Sequence, residues 1–257
     1  MTYIKSMIIA FSMYSKLPVW QLELEEKDMR YVMGFFPFVG LVLGAIMYLW
    51  YIIASHMGLP DISISLILMV LPVIVTGGIH LDGYMDTSDA LNSYADKEKK
   101  LAILKDSHIG AFAVIKLFVY YVIYYAAVYC IVQNRNNMLM MVMALTCYMS
   151  RIMSGIAAVN LKGARADGML QSFTSVTDRK RVNIMLIVQL IICMAALCFC
   201  NVLCAAAMLL PAIAVMVYYR HMAYKLFGGV TGDLAGYLLC VSELCMIVVL
   251  GIISLYI

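Results

Sequence analysis

Long apolar stretches, separated by short polar segments, run through almost the whole chain. Seven of them are long enough to cross a hydrocarbon core of about 30 Å as α-helices. Their approximate bounds are 31–53, 62–79, 111–132, 138–159, 183–200, 202–219 and 234–257. The pattern therefore predicts an all-α, polytopic integral membrane protein with about seven transmembrane helices.

The N-terminal stretch Met1–Val19 is apolar but short, and Lys5 and Lys16 interrupt it. We expect an interfacial or packed helix here, with a true span as the alternative. Low-complexity segments and convincing internal repeats are absent from the sequence. We therefore interpret residues 1–257 as a single membrane-embedded domain.

The composition agrees with a lipid environment. Hydrophobic residues make up 65% of the 257 positions and charged residues 13%, with a mean hydropathy of +0.93. A soluble domain would carry about 25% charged residues. The bilayer is therefore the expected solvent. The eight cysteines fall inside the apolar stretches or at their ends, and we interpret them as small packing residues.

Lysine and arginine are distributed unevenly between the two ends of the predicted spans. With the N-terminus inside, the inner segments hold fifteen of the eighteen basic residues, and the outer loops hold only Arg135. Basic residues concentrate in cytoplasmic segments of membrane proteins. The long connections 80–110, 160–182 and 220–233 are therefore expected to face the cytoplasm, with 133–137 outside.

Three aspartates follow the second predicted span: Asp82, Asp86 and Asp89. On a helix, this spacing places them within about 60° of one another on one face. Unpaired carboxylates so close together repel, and a hard divalent cation such as Mg²⁺ or Mn²⁺ would relieve the repulsion. The spacing predicts a metal site, against the ordinary alternative of a solvated acidic face. The segment Asp96–Lys100 is interpreted as solvated surface.

Two further polar stretches, 105–112 and 228–236, each lead into a predicted span. Glycine-containing entries to helices expose backbone amides that can hold phosphate, although most such glycines only form turns. Arg151 and Glu243 lie inside predicted spans, where ionisable groups are costly. They are either functional or a structural ion pair. His80 fits a packed or a functional histidine equally well.

The string GGIHLDGYMDTSDAL at 77–91 resembles the signature of the adenosylcobinamide-GDP ribazoletransferase family, also called cobalamin(-5'-phosphate) synthases. The resemblance covers most of the chain. Its other segments are 11–18 (FSMYSKLP), 34–44 (GFFPFVGLVLG), 105–112 (KDSHIGAF) and 228–236, followed by Glu243.

Members of this family are polytopic enzymes that transfer the phosphocobinamide unit of adenosylcobinamide-GDP to α-ribazole or its 5'-phosphate, releasing GMP and using Mg²⁺. The resemblance implies that reaction here, in a prokaryotic inner (plasma) membrane. It implies that those substrates are the partners and that nucleic acid is not one. It is compatible with a homo-oligomer. A transporter, or another enzyme like the CDP-alcohol phosphotransferases, is the alternative.

The resemblance also implies roles for individual residues. Asp82, Asp86 and Asp89 would bind the metal, with Asp106 as a further catalytic candidate, and His80 or an aspartate would accept a proton. The Arg179–Arg181 cluster fits phosphate contacts and positive-inside anchoring equally well. The other substrate-binding candidates all lie in predicted cytoplasmic segments: Lys105, Ser107, Arg165, Thr231 and Asp233.

Overall fold

The computed structural model describes residues 2–20, 25–164 and 174–256, and its regular elements are helices. In chain order they are α1 (Thr2–Tyr14), α2 (Val32–His56), α3 (Asp61–Thr76), α4 (Ile79–Asn92), α5 (Lys97–Ile103), α6 (Ala111–Gln133), α7 (Asn137–Asn160), α8 (Arg179–Cys200), α9 (Val202–Met222) and α10 (Gly232–Ser254). A 3-10 turn, Glu26–Tyr31, leads into α2, and a π-helical turn, Ala223–Phe227, follows α9.

Six helices are long and apolar enough to cross a membrane: α2, α6, α7, α8, α9 and α10. Helix α3 has only 16 residues and meets the same criterion only together with α4, from which a 96° bend separates it. The prediction of about seven spans is confirmed, since the helices give six spans, or seven if the bent pair of α3 and α4 makes a further one. Because α4 turns nearly at right angles to α3 and carries three aspartates, we interpret it as lying outside the membrane-spanning segments.

Two glycines form the bend between α3 and α4. Gly77 and Gly78 have φ values of +67° and +79°, in the left-handed region that glycine adopts without strain. The chain after α1 packs against this bend, where the amide of Lys16 donates to the carbonyl of Val75 at 2.7 Å. A Cβ on Gly77 would lie 2.4 Å from Cε of Lys16. The bend therefore depends on glycine for both conformation and space.

Helix α1 is a packed helix, as expected for Met1–Val19, and the alternative of a true span is wrong. Its 13 residues extend about 20 Å, which is too short to cross a hydrocarbon core. The buried Ser6 hydroxyl donates to the carbonyl of Asp28 in the 3-10 turn at 2.6 Å, and Lys5 forms an ion pair with the Asp28 carboxylate at 3.3 Å.

The segment 80–110 is not the polar loop that its charge predicts, because it contains α4 and α5. The interpretation of Asp96–Lys100 as solvated surface is also wrong for Lys100. That side chain is buried, and its ammonium group donates to the carbonyl of Ala90 at 2.7 Å. The last carbonyls of a helix lack intrahelical partners, so Lys100 stabilises the end of α4.

Helix α7 is the most buried of the apolar helices and packs closely against α2. A Cβ on Gly40 would lie 2.2 Å from the carbonyl oxygen of Cys147, and one on Gly44 would lie 2.3 Å from that of Ala144. Small residues permit this close backbone approach between membrane helices. The glycines of the segment 34–44 therefore determine how near α2 and α7 lie.

Four of the eight cysteines pack inside the bundle as the sequence predicts, whereas Cys198 is exposed. All eight are free, and the four that are fully buried lie within the apolar helices α7, α8, α9 and α10. Those four are Cys147, Cys193, Cys204 and Cys240.

Contacts between helix ends agree with alternating crossings. Arg135, in the turn after α6, pairs with Asp61 at the start of α3, and the neighbouring Asn134 amide donates to the carbonyl of Ser254 at the end of α10. At the opposite ends of α7 and α10, the segment after α7 pairs with the segment before α10. The two sets of connections therefore occupy opposite faces of the helix bundle.

The charge bias leads to a testable topology. A reporter fused within 93–96, 160–164 or 228–231 should report a cytoplasmic location, and one within 133–137 an external location. A cysteine introduced at Asn134 and labelled with a membrane-impermeant reagent on intact cells provides the independent measurement. Protection of that cysteine until the cells are lysed would contradict the orientation.

Candidate active site

A cavity of about 900 Å³ opens between α1, α2, α4, α7 and α10. Its volume lies within the range of sites for drug-sized ligands. One part of its wall is apolar and includes Met13, Phe36 and Ile79. The polar and charged side chains on its wall include His80, Asp82, Asn160, Lys162, Arg179, Thr231 and Asp233.

Glycines bring the two aspartate-bearing helices, α4 and α10, into backbone contact. A Cβ on Gly83 would lie 2.7 Å from the carbonyl oxygen of Asp233, and one on Gly236 would lie 2.9 Å from the carbonyl oxygen of His80. The Cys240 thiol also contacts the His80 carbonyl, at 3.4 Å. This approach places carboxylates from α4 and α10 on the same cavity.

We predict that Gly83→Ala destabilises the protein by about 1–3 kcal/mol, the usual range for overpacking. The methyl group would meet backbone atoms of Asp233, which cannot move aside as a flexible side chain does. Thermal unfolding in detergent would measure the change. Gly232→Ala is the matched control, because a Cβ there meets nothing within 4 Å. Equal melting temperatures for the two variants would contradict the close approach.

The three predicted metal ligands lie on one helix, α4, and this confirms the helical spacing inferred for them. Asp82 is exposed and lines the cavity, whereas Asp86 and Asp89 are half-buried and lie outside its lining. A Cβ on Gly110 would lie 1.7 Å from Oδ2 of Asp89. Glycine in the KDSHIGAF segment therefore makes room for the third aspartate.

Negative charge accumulates around Asp86. Burial, and then the neighbouring carboxylates of Asp82, Asp233 and Asp89, raise the pKa of Asp86 to about 6. No described lysine or arginine forms an ion pair with Asp82, Asp86 or Asp89. Neighbouring carboxylates that raise one another's pKa in this way would be stabilised by a bound divalent cation.

The donor chemistry of this cluster fits a hard cation, since every donor is a carboxylate oxygen. The positions of these side chains, however, do not form a site for one ion. Among the described ranges, no three Asp, Glu, His or Cys side chains converge on a point that one metal ion could occupy. The role of the three aspartates as joint metal ligands therefore stays a prediction.

His80 is buried in the first turn of α4 and lines the cavity. Its ring lies 6.0 Å from the ring of Tyr14 and 5.5 Å from that of Phe36, measured between centroids. Burial, and then the charge of Arg151, lower the pKa of His80 well below its ordinary value. The imidazole is therefore neutral at physiological pH.

The segment carrying Lys105, Asp106 and Ser107 is exposed and lies outside the lining of the cavity. The Asp106 carboxylate accepts from the backbone amide of His108 at 3.0 Å and contacts its ring nitrogen at 2.6 Å. These hydrogen bonds lower the pKa of Asp106. Gly110, which follows this segment, lies against the Asp89 carboxylate. The structure therefore places the segment near Asp89 and not near Asp82.

The remaining predicted substrate contacts divide between the cavity and other positions. Thr231 lines the cavity and also caps α10, where its hydroxyl accepts from the amide of Leu234 at 3.2 Å. Arg179 lines the cavity, whereas Arg181 contacts hydroxyl groups of Tyr3 and Tyr31 outside it. Arg165 lies outside the described residues.

Sequence reasoning missed Lys162 and Asn160, both on the cavity wall. In the sequence, Lys162 was distinguished only as one of the basic residues on the predicted cytoplasmic side. Its backbone carbonyl accepts from the amide of Val230 at 2.9 Å, and its amide donates to the Tyr224 hydroxyl at 2.9 Å. The signal that could have identified it is its place directly after a predicted span, opposite the glycine-rich 228–236.

Arg151 and Glu243 form an ion pair inside the bundle, which is the pairing that the structural alternative predicts. Their side chains approach to 3.1 Å and are only 2% and 4% exposed. Arg151 also donates to the carbonyl of Cys147 at 2.8 Å, and the Ser150 hydroxyl donates to Glu243 at 3.1 Å. The pair therefore joins α7 to α10.

Comparison with known proteins identifies the family. The model of the family described as Cobalamin-5-phosphate synthase matches residues 6–251. A Lachnoclostridium phytofermentans protein named adenosylcobinamide-GDP ribazoletransferase is 39% identical over 244 residues, which cover 95% of this chain and 92% of that protein. A Clostridium perfringens protein of the same name is 30% identical over 251 residues, covering 98% of this chain and 99% of its own.

A third protein of that name, from Pseudomonas fluorescens, is 31% identical over 224 residues, covering 85% of this chain and 86% of its own. No solved structure matches the chain. The family model and these relatives span the aspartate helix, the cavity and the buried ion pair together. The chain belongs to the cobalamin-5-phosphate synthase family.

Proposed function

We propose that this protein is an adenosylcobinamide-GDP ribazoletransferase that works at the cytoplasmic face of a prokaryotic inner membrane. Membership of the family over residues 6–251 supports the reaction. The single structural observation that carries the proposal is the 900 Å³ cavity, where carboxylates of two helices face basic side chains. That combination suits a substrate with a pyrophosphate group.

The reaction replaces a phosphoanhydride bond by a phosphoester bond. A ribose hydroxyl of α-ribazole, or of its 5'-phosphate, attacks the phosphorus attached to cobinamide. The new P–O bond forms while the bond between the two phosphates breaks, so GMP leaves with that bridging oxygen. Phosphoryl transfer of this kind asks the protein mainly to position the groups and to balance their charge.

The basic side chains on the cavity wall suit the phosphates. Lys162 and Arg179 are exposed and face the same cavity as Asp82, so they can bind the pyrophosphate while the apolar wall excludes water from one side. The cavity is too small for a whole corrinoid, which must extend beyond it. We assign it to the pyrophosphate and the groups next to it.

The attacking hydroxyl must lose a proton. His80 and Asp82 both line the cavity, and an imidazole and a carboxylate are each able to accept one. Asp82, Asp86 and Asp89 are the residues that would hold Mg²⁺, and a bound Mg²⁺ would supply positive charge for the phosphates. Asp233 approaches from α10 and completes the acidic wall.

Purified protein in detergent micelles, with adenosylcobinamide-GDP, α-ribazole and Mg²⁺, provides the test. We expect release of GMP and one new corrinoid whose mass equals that of adenosylcobalamin, and α-ribazole 5'-phosphate should give its phosphorylated counterpart. A transporter would leave both substrates chemically unchanged. In micelles it would also have no compartment into which to move them. Absence of GMP with either acceptor, in protein that unfolds cooperatively on heating, would contradict the proposal.

A further inference from the structure

A second cavity lies at the end of α9 that the charge bias places on the cytoplasmic side. It has a volume of about 600 Å³ and is lined by Val217, Arg220, His221, Tyr224 and Lys225. The steps between these residues alternate between three and one, so they share one face of α9 and of the π-helical turn that follows it. The volume lies within the range of small-ligand sites.

The basic side chains of this cavity carry charge that the protein does not balance. Arg220, His221 and Lys225 are all exposed, and no acidic side chain in the described part of the chain forms an ion pair with any of them. By contrast, the exposed Arg135 pairs with Asp61 at the other end of the bundle. The cavity therefore complements an anion.

An exposed apolar stripe leads along α9 to these basic side chains. Leu210, Ile213 and Val217 are 71%, 49% and 64% exposed, and their spacing of three and four residues continues into Arg220 and His221. Because α9 is one of the membrane-spanning helices, the stripe faces hydrocarbon, over a length of about 10 Å. One face of the helix thus changes from apolar to basic at the mouth of the cavity.

We propose that this cavity binds the headgroup of an anionic phospholipid, with its phosphate against Arg220 and Lys225 and an acyl chain along Leu210, Ile213 and Val217. Guanidinium and ammonium groups are common partners of phosphate. Basic pockets beside membrane helices on the cytoplasmic side bind anionic headgroups. A soluble phosphate would share the basic contacts but would leave the apolar stripe unused, and this favours the lipid.

Tyr224 connects the lipid site to the candidate active site. It lines both cavities, and its hydroxyl accepts from the backbone amide of Lys162 at 2.9 Å. A headgroup in the outer cavity therefore lies against the residue that holds the Lys162 backbone in place. Lipid binding itself does not depend on the proposed function, and its test needs no substrate.

Native mass spectrometry of the full chain, released from detergent micelles, counts the lipids that remain bound. Palmitoyl-oleoyl-phosphatidylglycerol is the anionic probe, and phosphatidylcholine with the same acyl chains is the zwitterionic one. We expect one phosphatidylglycerol to bind about tenfold more tightly than phosphatidylcholine, or more, because two basic side chains face its net charge. Equal binding of the two lipids would overturn the proposal, and this comparison requires no variant.

The double variant Arg220→Gln with Lys225→Gln locates the site. We expect phosphatidylglycerol to bind about thirtyfold more weakly, which corresponds to about 2 kcal/mol or about 1 kcal/mol for each basic residue. Lys99→Gln with Lys116→Gln is the matched control, since it removes the same charge from exposed side chains that line neither cavity. Equal losses in the two double variants would show that only net charge matters and would overturn the site.

Soluble phosphates distinguish the lipid from a free anion. Inorganic phosphate and glycerol 3-phosphate carry the charge of the headgroup but have no acyl chains. We expect neither of them, at millimolar concentration, to displace bound phosphatidylglycerol from the parent protein. Displacement by either compound would identify a site for soluble phosphates and overturn the lipid assignment.

Discussion

Asparagine at Asp82, Asp86 or Asp89 should lower turnover at least a hundredfold in each case, with the protein still folded. A factor of one hundred corresponds to about 2.7 kcal/mol of transition-state stabilisation. Asparagine keeps the size of aspartate and one carbonyl oxygen, but it removes the charge that a hard cation and a phosphoryl group in transfer require. Release of GMP by purified variants measures the loss.

The structure separates this loss from a failure to fold. The pKa of Asp86 is raised to about 6 by burial and by three neighbouring carboxylates. An acid whose pKa is higher in the folded state destabilises folding above that pKa, because the unfolded chain loses the proton more readily. At pH 7, Asp86→Asn should therefore leave the melting temperature unchanged or raise it, even as activity falls.

Asp96→Asn provides the internal control. Asp96 caps α5 by accepting from the amide of Lys99 at 2.9 Å, and it lies outside the lining of the cavity. Asparagine caps helices about as well as aspartate, so activity should stay within a few-fold of the parent. Higher Mg²⁺, or Mn²⁺, should partly restore the weaker triad variants. Near-normal turnover of all three, unaffected by a chelator, would rule out the metal mechanism.

The membrane-spanning helices were predictable because their cause is local. A stretch such as 138–159 is predominantly apolar, so no register or partner has to be known before a span is predicted, and α7 matches it to within one residue at each end. Helix α3 shows the limit. Its apolar stretch ends at two glycines, and the 96° bend that they form depends on packing against the chain after α1.

Tertiary contacts explain the features of the polar segments that the sequence did not predict. Charge at 80–110 resembles a solvated loop, but Lys100 is buried because the end of α4 needs a donor there. Spacing correctly placed Asp82, Asp86 and Asp89 on one helix. Spacing could not tell that only the first of them faces the large cavity, because that depends on how closely α4 approaches α10.

The same reasoning applies to the partners of the aspartates. Lys162 lies on the cavity wall beside the bridge between Gly163 and Val230, where its carbonyl accepts from the Val230 amide across almost seventy positions of sequence. A contact of that kind has no periodic signature. Arg151 and Glu243 were identifiable one at a time, since a charge at membrane depth stands out in an apolar stretch. Their pairing required only that α7 and α10 be neighbours.

Neutralising either Arg151 or Glu243 alone should destabilise the protein by about 3–5 kcal/mol, because each change leaves the other charge buried without its partner. Changing both, as in Arg151→Met with Glu243→Gln, should recover part of that loss. The recovery would be incomplete, since the hydrogen bond from Arg151 to the Cys147 carbonyl is also lost. Unfolding of the two single variants and the double variant in one detergent measures the coupling.

The ion pair between Arg135 and Asp61 is the matched control for this cycle. It has the same chemistry, but its side chains are 52% and 24% exposed, so water already solvates both charges. Exposed pairs contribute about 0–1 kcal/mol, and we expect a coupling within that range. Strictly additive losses at Arg151 and Glu243, equal to those of the exposed pair, would show that the two charges do not depend on each other. A large coupling confined to the buried pair would instead identify it as the contact that joins α7 to α10 beneath the aspartate helix.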